Sequence, residues 1–199
     1  MSRANRPPRA ETWISVDTET SGASPGVASL LSIGACVVGR PDETFYVELL
    51  PISGLGWSAE AEKVHKLSRE YLAVHGIDPH LAMTRFAAWI AALPTVLAGA
   101  KPIFVGFNAP FDWMFVADYF WRFYGSCPFG ISGLCQKSLY LGLTYPRSTT
   151  WGETPKSVIF ARNPGLTSGE HTHNALDDAV EQAQLLSALL ERARAGTLI

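Results

Sequence analysis

A short apolar run, Trp13 to Val16, breaks into Asp17, Thr18 and Glu19 where a β-strand should end. Two β-rich runs follow, SLLSIGACVVG (29–39) and TFYVELL (44–50), separated by Arg40-Pro-Asp-Glu. With Thr20 to Ala28 as a Gly, Ser and Pro-rich turn, the three runs predict a meander. Ser58 begins a helical segment that extends through Leu67. Asp78-Pro79 is a second helix start, an N-cap followed by proline at the first helical position. Met83, Phe86, Ile90 and Leu93 follow at spacings of three and four, and Pro94 stops the helix. KPIFVGF (101–107) is apolar throughout and suits a buried parallel strand. A long helix is expected from Ala109 to about Tyr124, and a short one from Gln136 to Leu143. Residues 144 to 170 read as a polar loop. The last helix, 175 to 194, carries Leu176, Val180, Ala183, Leu186 and Leu190 at helical spacing and ends in Arg192 and Arg194. Strands first, then helix, strand, helix and a closing helix predict an α/β sandwich around a mixed sheet.

Composition narrows this picture. A chain of 199 residues with 47% apolar and 17% charged side chains can bury one full core. A single domain over 11–199 is expected, with residues 1–10, basic and proline-bearing, as a flexible arm. The net charge of −2 excludes a general polycation, so any contact with nucleic acid has to be local and metal-assisted. Cys36, Cys127 and Cys135 are odd in number and lack CxxC spacing, which argues against a disulfide framework or a zinc knuckle. Buried thiols in a reducing compartment, and hence a cytoplasmic protein, are the expectation. No stretch is long and apolar enough for a membrane span.

The candidate chemistry begins at the end of the first strand. Side chains at i and i+2 share a face, so Asp17 and Glu19 project together. Two carboxylates so close repel unless a cation lies between them, and hard oxygen ligands suit Mg²⁺ or Mn²⁺. Two more aspartates are placed alike. Asn108 can cap the helix after the fourth strand, with Asp112 four residues on; Asn174 can cap the last helix, with Asp178 four residues on. Asp177 and Asp178 point about 100° apart on a helix, so only one can join a common site, and spacing does not choose it. His173 falls just outside that helix, where a histidine could act as general base on a water.

Read together, VDTETSG, GFNAPFD and HTHNALDDA, in that order, resemble the DEDDh subgroup of 3′–5′ exonucleases. This is the DnaQ-like branch of the RNase H-like fold, which includes proofreading exonucleases, oligoribonuclease and RNase T. The resemblance covers Trp13 to about Leu190. It implies a central mixed five-stranded sheet flanked by helices, and two divalent cations, Mg²⁺ or Mn²⁺, on Asp17, Glu19, Asp112 and Asp178. It also chooses Asp178 over Asp177 and makes His173 the general base. The implied activity is two-metal hydrolysis of single-stranded DNA or RNA from the 3′ end, releasing nucleoside 5′-monophosphates. Substrate contacts are implied for Thr18, Thr20, Ser21, Gly22, Asn108 and Phe111, with backbone groups of Thr20 to Gly22 on the terminal nucleotide.

Two features depart from the family pattern. Its members usually carry a helix and a short apolar link before HxxxxD, where this chain has the polar loop 144–170. That loop bears Arg147, Trp151, Lys156 and Arg162 and could act as a phosphate-contacting lid. The other is the helix FDWMFVADYFWRFYG, aromatic on nearly every side, which suggests a homodimer interface more than a base-stacking platform. The competing functions are a catalytically silent nucleic-acid-binding module on the same fold and a hydrolase of short oligonucleotides or small phosphorylated molecules.

Overall fold

The computed structural model describes residues 9–146, 150–163 and 173–197. The mixed sheet has five strands in the order β3-β2-β1-β4-β5: β1 (Glu11–Thr20), β2 (Leu30–Val37), β3 (Arg40–Glu48), β4 (Lys101–Gly106) and β5 (Gly133–Cys135). β1, β2 and β3 form the antiparallel meander, and β4 and β5 add in parallel beyond β1. The three-residue β5 carries no apolar run of strand length, so periodicity does not reveal it.

The alternation along β1 divides the molecule. Ile14, Val16 and Thr18 face α3 (Pro79–Ala92) and α5 (Ala109–Tyr119), and Ser15, Asp17 and Glu19 face α8 (Ala175–Ala195). On the first side Phe45, Phe86 and Phe120 stack in a row, with ring centroids 4.8 and 5.5 Å apart. Asp78 caps α3 through Oδ1, which accepts from the backbone N–H groups of His80 and Leu81, as the Asp-Pro signal predicts. Ser58 likewise caps α1 (Ala59–His65), but the segment does not run on as one helix. Lys66 turns left-handed, and Ser68 opens a separate α2 (Arg69–His75). Among the described residues, the remaining short helices are α4 (Pro94–Leu97), α6 (Gln136–Leu143) and α7 (Lys156–Arg162).

The aromatic helix continues past Tyr119 as a π-helical turn, Phe120–Tyr124. Its rings are absorbed by the chain's own core. Phe115, Tyr119 and Phe120 are fully buried, and the Tyr119 hydroxyl accepts from Leu30 N–H at 2.8 Å. Only Trp121 and Tyr124 keep large exposed surfaces, so the face that suggested a homodimer is mostly spoken for within one copy. The span 144–170, expected as a polar loop, contains α7. Ile159 of α7 is fully buried in a second cluster with Tyr140, Leu141, Leu185 and Leu189. One buried residue in seven leaves no periodic signal. Arg147 lies outside the described residues.

α8 packs across β1, β2 and β3, and its buried line runs through Ala175, Ala179, Ala183 and Leu186. Leu176, Val180 and Leu190 sit only at the edge of that face, so the stripe read from sequence is rotated. Small residues are needed because the helix lies close. A Cβ on Gly34, directly opposite Asp17 on β2, would stand 2.1 Å from the Ala175 carbonyl carbon. Gly34→Ala is therefore expected to cost about 3 kcal/mol through overpacking and to draw the start of α8 away from β1. Urea unfolding and a Mn²⁺ binding isotherm measure the two effects. Wild-type stability with wild-type Mn²⁺ binding would rule out this seating of α8.

Candidate active site

The end of β1 and the first turns of α5 and α8 meet at one place. One carboxylate oxygen each from Asp17, Glu19 and Asp178 lie within 4.8 Å of one another, whereas Asp177 is exposed. Asp112 arrives from the opposite face of the sheet and stands apart from this group of three. It is tied to the strand: Asp112 Oδ1 accepts from Thr18 N–H at 3.0 Å and from Thr18 Oγ1 at 2.8 Å. Thr18, between the two strand acids, thereby sets the orientation of the third.

The two expected caps behave differently. Asn174 Oδ1 accepts from Leu176 N–H at 2.9 Å and Asp177 N–H at 3.4 Å. Asn108 occupies the equivalent position at α5 but makes no side-chain cap bond. Pro110 removes the N–H that such a cap would use, and Phe111 N–H goes to the Asn108 carbonyl instead. The Asn108 side chain is left exposed at the mouth of a cleft of about 230 Å³, lined also by Asp17, Thr18, Phe107, Phe111, Asp112 and Lys156.

Charge is crowded here. Burial first, and then the carboxylates of Asp112, Asp178 and Glu19, push the Asp17 carboxyl well above the usual range. Glu19 is pushed up to about 8, by burial and then by Asp178 and Asp112. Burial also raises Asp112, to about 6, against the Thr18 hydrogen bonds that favour its anion. The Lys156 ammonium draws all three down. Burial disfavours that ammonium, but its bonds to Asp178 and Glu181 outweigh the penalty and leave its pKa raised. An all-carboxylate donor set this close, and this reluctant to ionise alone, fits a hard divalent cation.

The sequence points to neither Glu181 nor Gln182, and it puts Lys156 on a phosphate-contacting loop rather than among the acids, where the structure has it. Gln182, one turn beyond Asp178, bridges the two strands of the site: Nε2 donates to Asp17 Oδ1 at 2.5 Å and Oε1 accepts from Phe107 N–H at 2.9 Å. Lys156 Nζ lies 2.6 Å from Asp178 Oδ1 and 2.6 Å from Glu181 Oε2. The available signal is two polar residues, Glu181 and Gln182, on the otherwise apolar buried face of α8.

Of the expected substrate contacts, Thr18 and Phe111 line the cleft. Ser21 is turned to the fold: its N–H reaches Ser29 O, its carbonyl accepts from Ser58 N–H, and its hydroxyl donates to Gly56 O. Thr20 Oγ1 donates to Gly22 O at 2.8 Å, closing the turn in which Gly22 sits. His173 is exposed just before the α8 cap, with a left-handed backbone (φ 50°). His171 lies outside the described residues.

No family model matches the chain. The 3′–5′ DNA exonuclease Cap18 of Escherichia coli is 43% identical over 175 residues, which span 88% of this chain and 89% of that protein. Among solved structures, the nuclease domain of 3′hExo, a DEDDh family member bound to rAMP, aligns with a TM-score of 0.67 over 96% of both chains at 11% identity. E. coli ExoI in a complex with single-stranded DNA aligns with a TM-score of 0.65 at 16% identity, over 96% of this chain but only 42% of ExoI. This chain thus spans less than half of ExoI, and the two solved structures speak for the RNase H-like fold alone. Cap18 speaks for more, since its identity extends over nearly the whole of both proteins, and on that ground the chain belongs to the DEDDh family of 3′–5′ exonucleases.

Proposed function

We propose that the chain shortens single-stranded DNA from its 3′ end, one nucleoside 5′-monophosphate at a time, with Asp17, Glu19, Asp112 and Asp178 holding two divalent cations, Mg²⁺ or Mn²⁺. The observation that carries this reading is the approach of Asp17, Glu19 and Asp178 to within 4.8 Å, with Asp17 and Asp112 lining one cleft. Two such ions, when bound, supply Lewis-acid stabilisation of the attacking and leaving oxygens. The chain's own groups do the rest. Gln182 and Thr18 hold Asp17 and Asp112 in fixed orientation, so that the ligand oxygens are set before substrate arrives. Phe107 and Phe111 give the cleft an apolar wall against which the terminal sugar or base can rest. Asn108 offers its free amide at the rim. His173, outside the helix, takes the proton from the attacking water. DNA is preferred over RNA in this proposal because Cap18, the 43% identical relative, is a DNA exonuclease by name.

The test is a time course on 5′-labelled single-stranded DNA, RNA of the same sequence, blunt duplex DNA and a dinucleotide, with Mn²⁺ and with chelator. A metal-dependent ladder that shortens from the 3′ end, fastest on single-stranded DNA, is the expected result. Binding without shortening would instead favour the silent binding module, and cleavage of the dinucleotide alone would favour a hydrolase of very short substrates.

A further inference from the structure

A cation belonging to the chain itself already stands in the cleft. Lys156 opens α7, which Ile159 anchors against Leu185 and Leu189 of α8, so its backbone is fixed beside the acids by core packing. Its side chain is 15% exposed and lies between two carboxylates on successive turns of α8, 2.6 Å from each. One of them, Asp178, belongs to the close trio with Asp17 and Glu19; the other, Glu181, does not. We infer that Lys156 is a resident counter-cation that competes with the divalent metal for Asp178, and that Glu181 is the carboxylate which receives it when the metal takes Asp178. Lys156 and Glu181 therefore set metal affinity as positioning residues, without being metal ligands. The inference rests on reading the trio as a metal site.

The arrangement dictates effects of opposite sign. Without Lys156, a metal meets neither that competitor nor its positive charge. Without the Glu181 charge, Lys156 keeps, among the described residues, Asp178 as its paired carboxylate, and the metal must displace it from there. The experiment is a Mn²⁺ titration of the intact protein without nucleic acid, following free Mn²⁺ by electron paramagnetic resonance. Lys156→Gln should bind Mn²⁺ roughly tenfold more tightly than wild type and Glu181→Gln roughly tenfold more weakly, a range set by typical couplings between contacting charges. The double variant should match Lys156→Gln. Weaker binding by Lys156→Gln would mean that the lysine holds Asp178 in place for the metal, and would overturn the inference. So would an equal loss from Glu181→Gln in both backgrounds, since Glu181 would then act through its charge alone. Should Lys156→Gln fail to fold, Glu181→Gln decides by itself, because unchanged or tighter binding contradicts the hand-over. Asp178→Asn separates the two levels: if it leaves Mn²⁺ binding intact, it is the metal-site reading that has failed.

Discussion

Asp17→Asn is expected to abolish nucleotide release, by at least about 10³-fold, while making the metal-free protein more stable at pH 8 than wild type. The loss of rate follows from position, because a bound metal supplies several kcal/mol of charge stabilisation and each 1.36 kcal/mol is tenfold in rate. The gain in stability follows from charge. Burial, and then Asp112, Asp178 and Glu19, hold the Asp17 carboxyl far above the range it has in an unfolded chain. A group whose pKa is raised on folding contributes stability below its unfolded value and loses it as pH rises through the folded one. For this cluster that loss extends upward to about pH 8, where Glu19 titrates. Asparagine keeps the shape and an oxygen for Gln182 Nε2 but never ionises. In chelator at pH 8 the variant should gain on the order of 1–3 kcal/mol, the usual cost of a buried polar group without full compensation. Near pH 4 it should gain almost nothing, because the wild-type acid is then protonated. Urea unfolding in chelator at both pH values reads this, and Mn²⁺ should raise the wild-type midpoint far more than the variant's. An active Asp17→Asn, or one less stable than wild type in chelator at pH 8, would refute the placement of Asp17.

The parts of this site that could be read from sequence are those where one residue type does one local job. The β1 end shows because an apolar run stops on two acids at strand spacing, and the α8 start shows because Asn174 is a cap with donors to accept. Asn108 looked identical and is not, since a proline two residues on removes the donor. The choice between Asp177 and Asp178 depends on how α8 lies on the sheet. That seating is decided by Gly34, 141 positions before Ala175 in sequence and in contact with it in space. Glu181 and Gln182, and the pairing of Lys156 with the site acids, are hidden for a related reason: each takes its meaning from a partner on another element, and polar residues on a helix or in a Pro-bearing loop are ordinarily solvated. The fifth strand is three residues long and α7 seven, too short for either period to declare itself.

His173→Ala is expected to reduce kcat/KM by about 10²- to 10⁴-fold, the usual contribution of a positioned general base, while leaving the Mn²⁺ isotherm unchanged. The separation is possible because His173 stands outside α8, exposed, and is absent from the close group of acids. One structural effect has to be set apart. The residue sits at φ 50°, where alanine is strained by about 1 kcal/mol and asparagine is at ease. His173→Asn therefore serves as the control: it can hold the turn that leads into the Asn174 cap but has no imidazole to accept a proton. If proton transfer is the role, both variants lose activity to the same degree, and both unfold and bind Mn²⁺ like wild type within that ~1 kcal/mol. If the histidine serves only to turn the backbone, His173→Asn recovers most of the rate. A loss of Mn²⁺ binding in both would place the imidazole among the metal ligands instead, and the assignment of the general base would have to move elsewhere in the cleft.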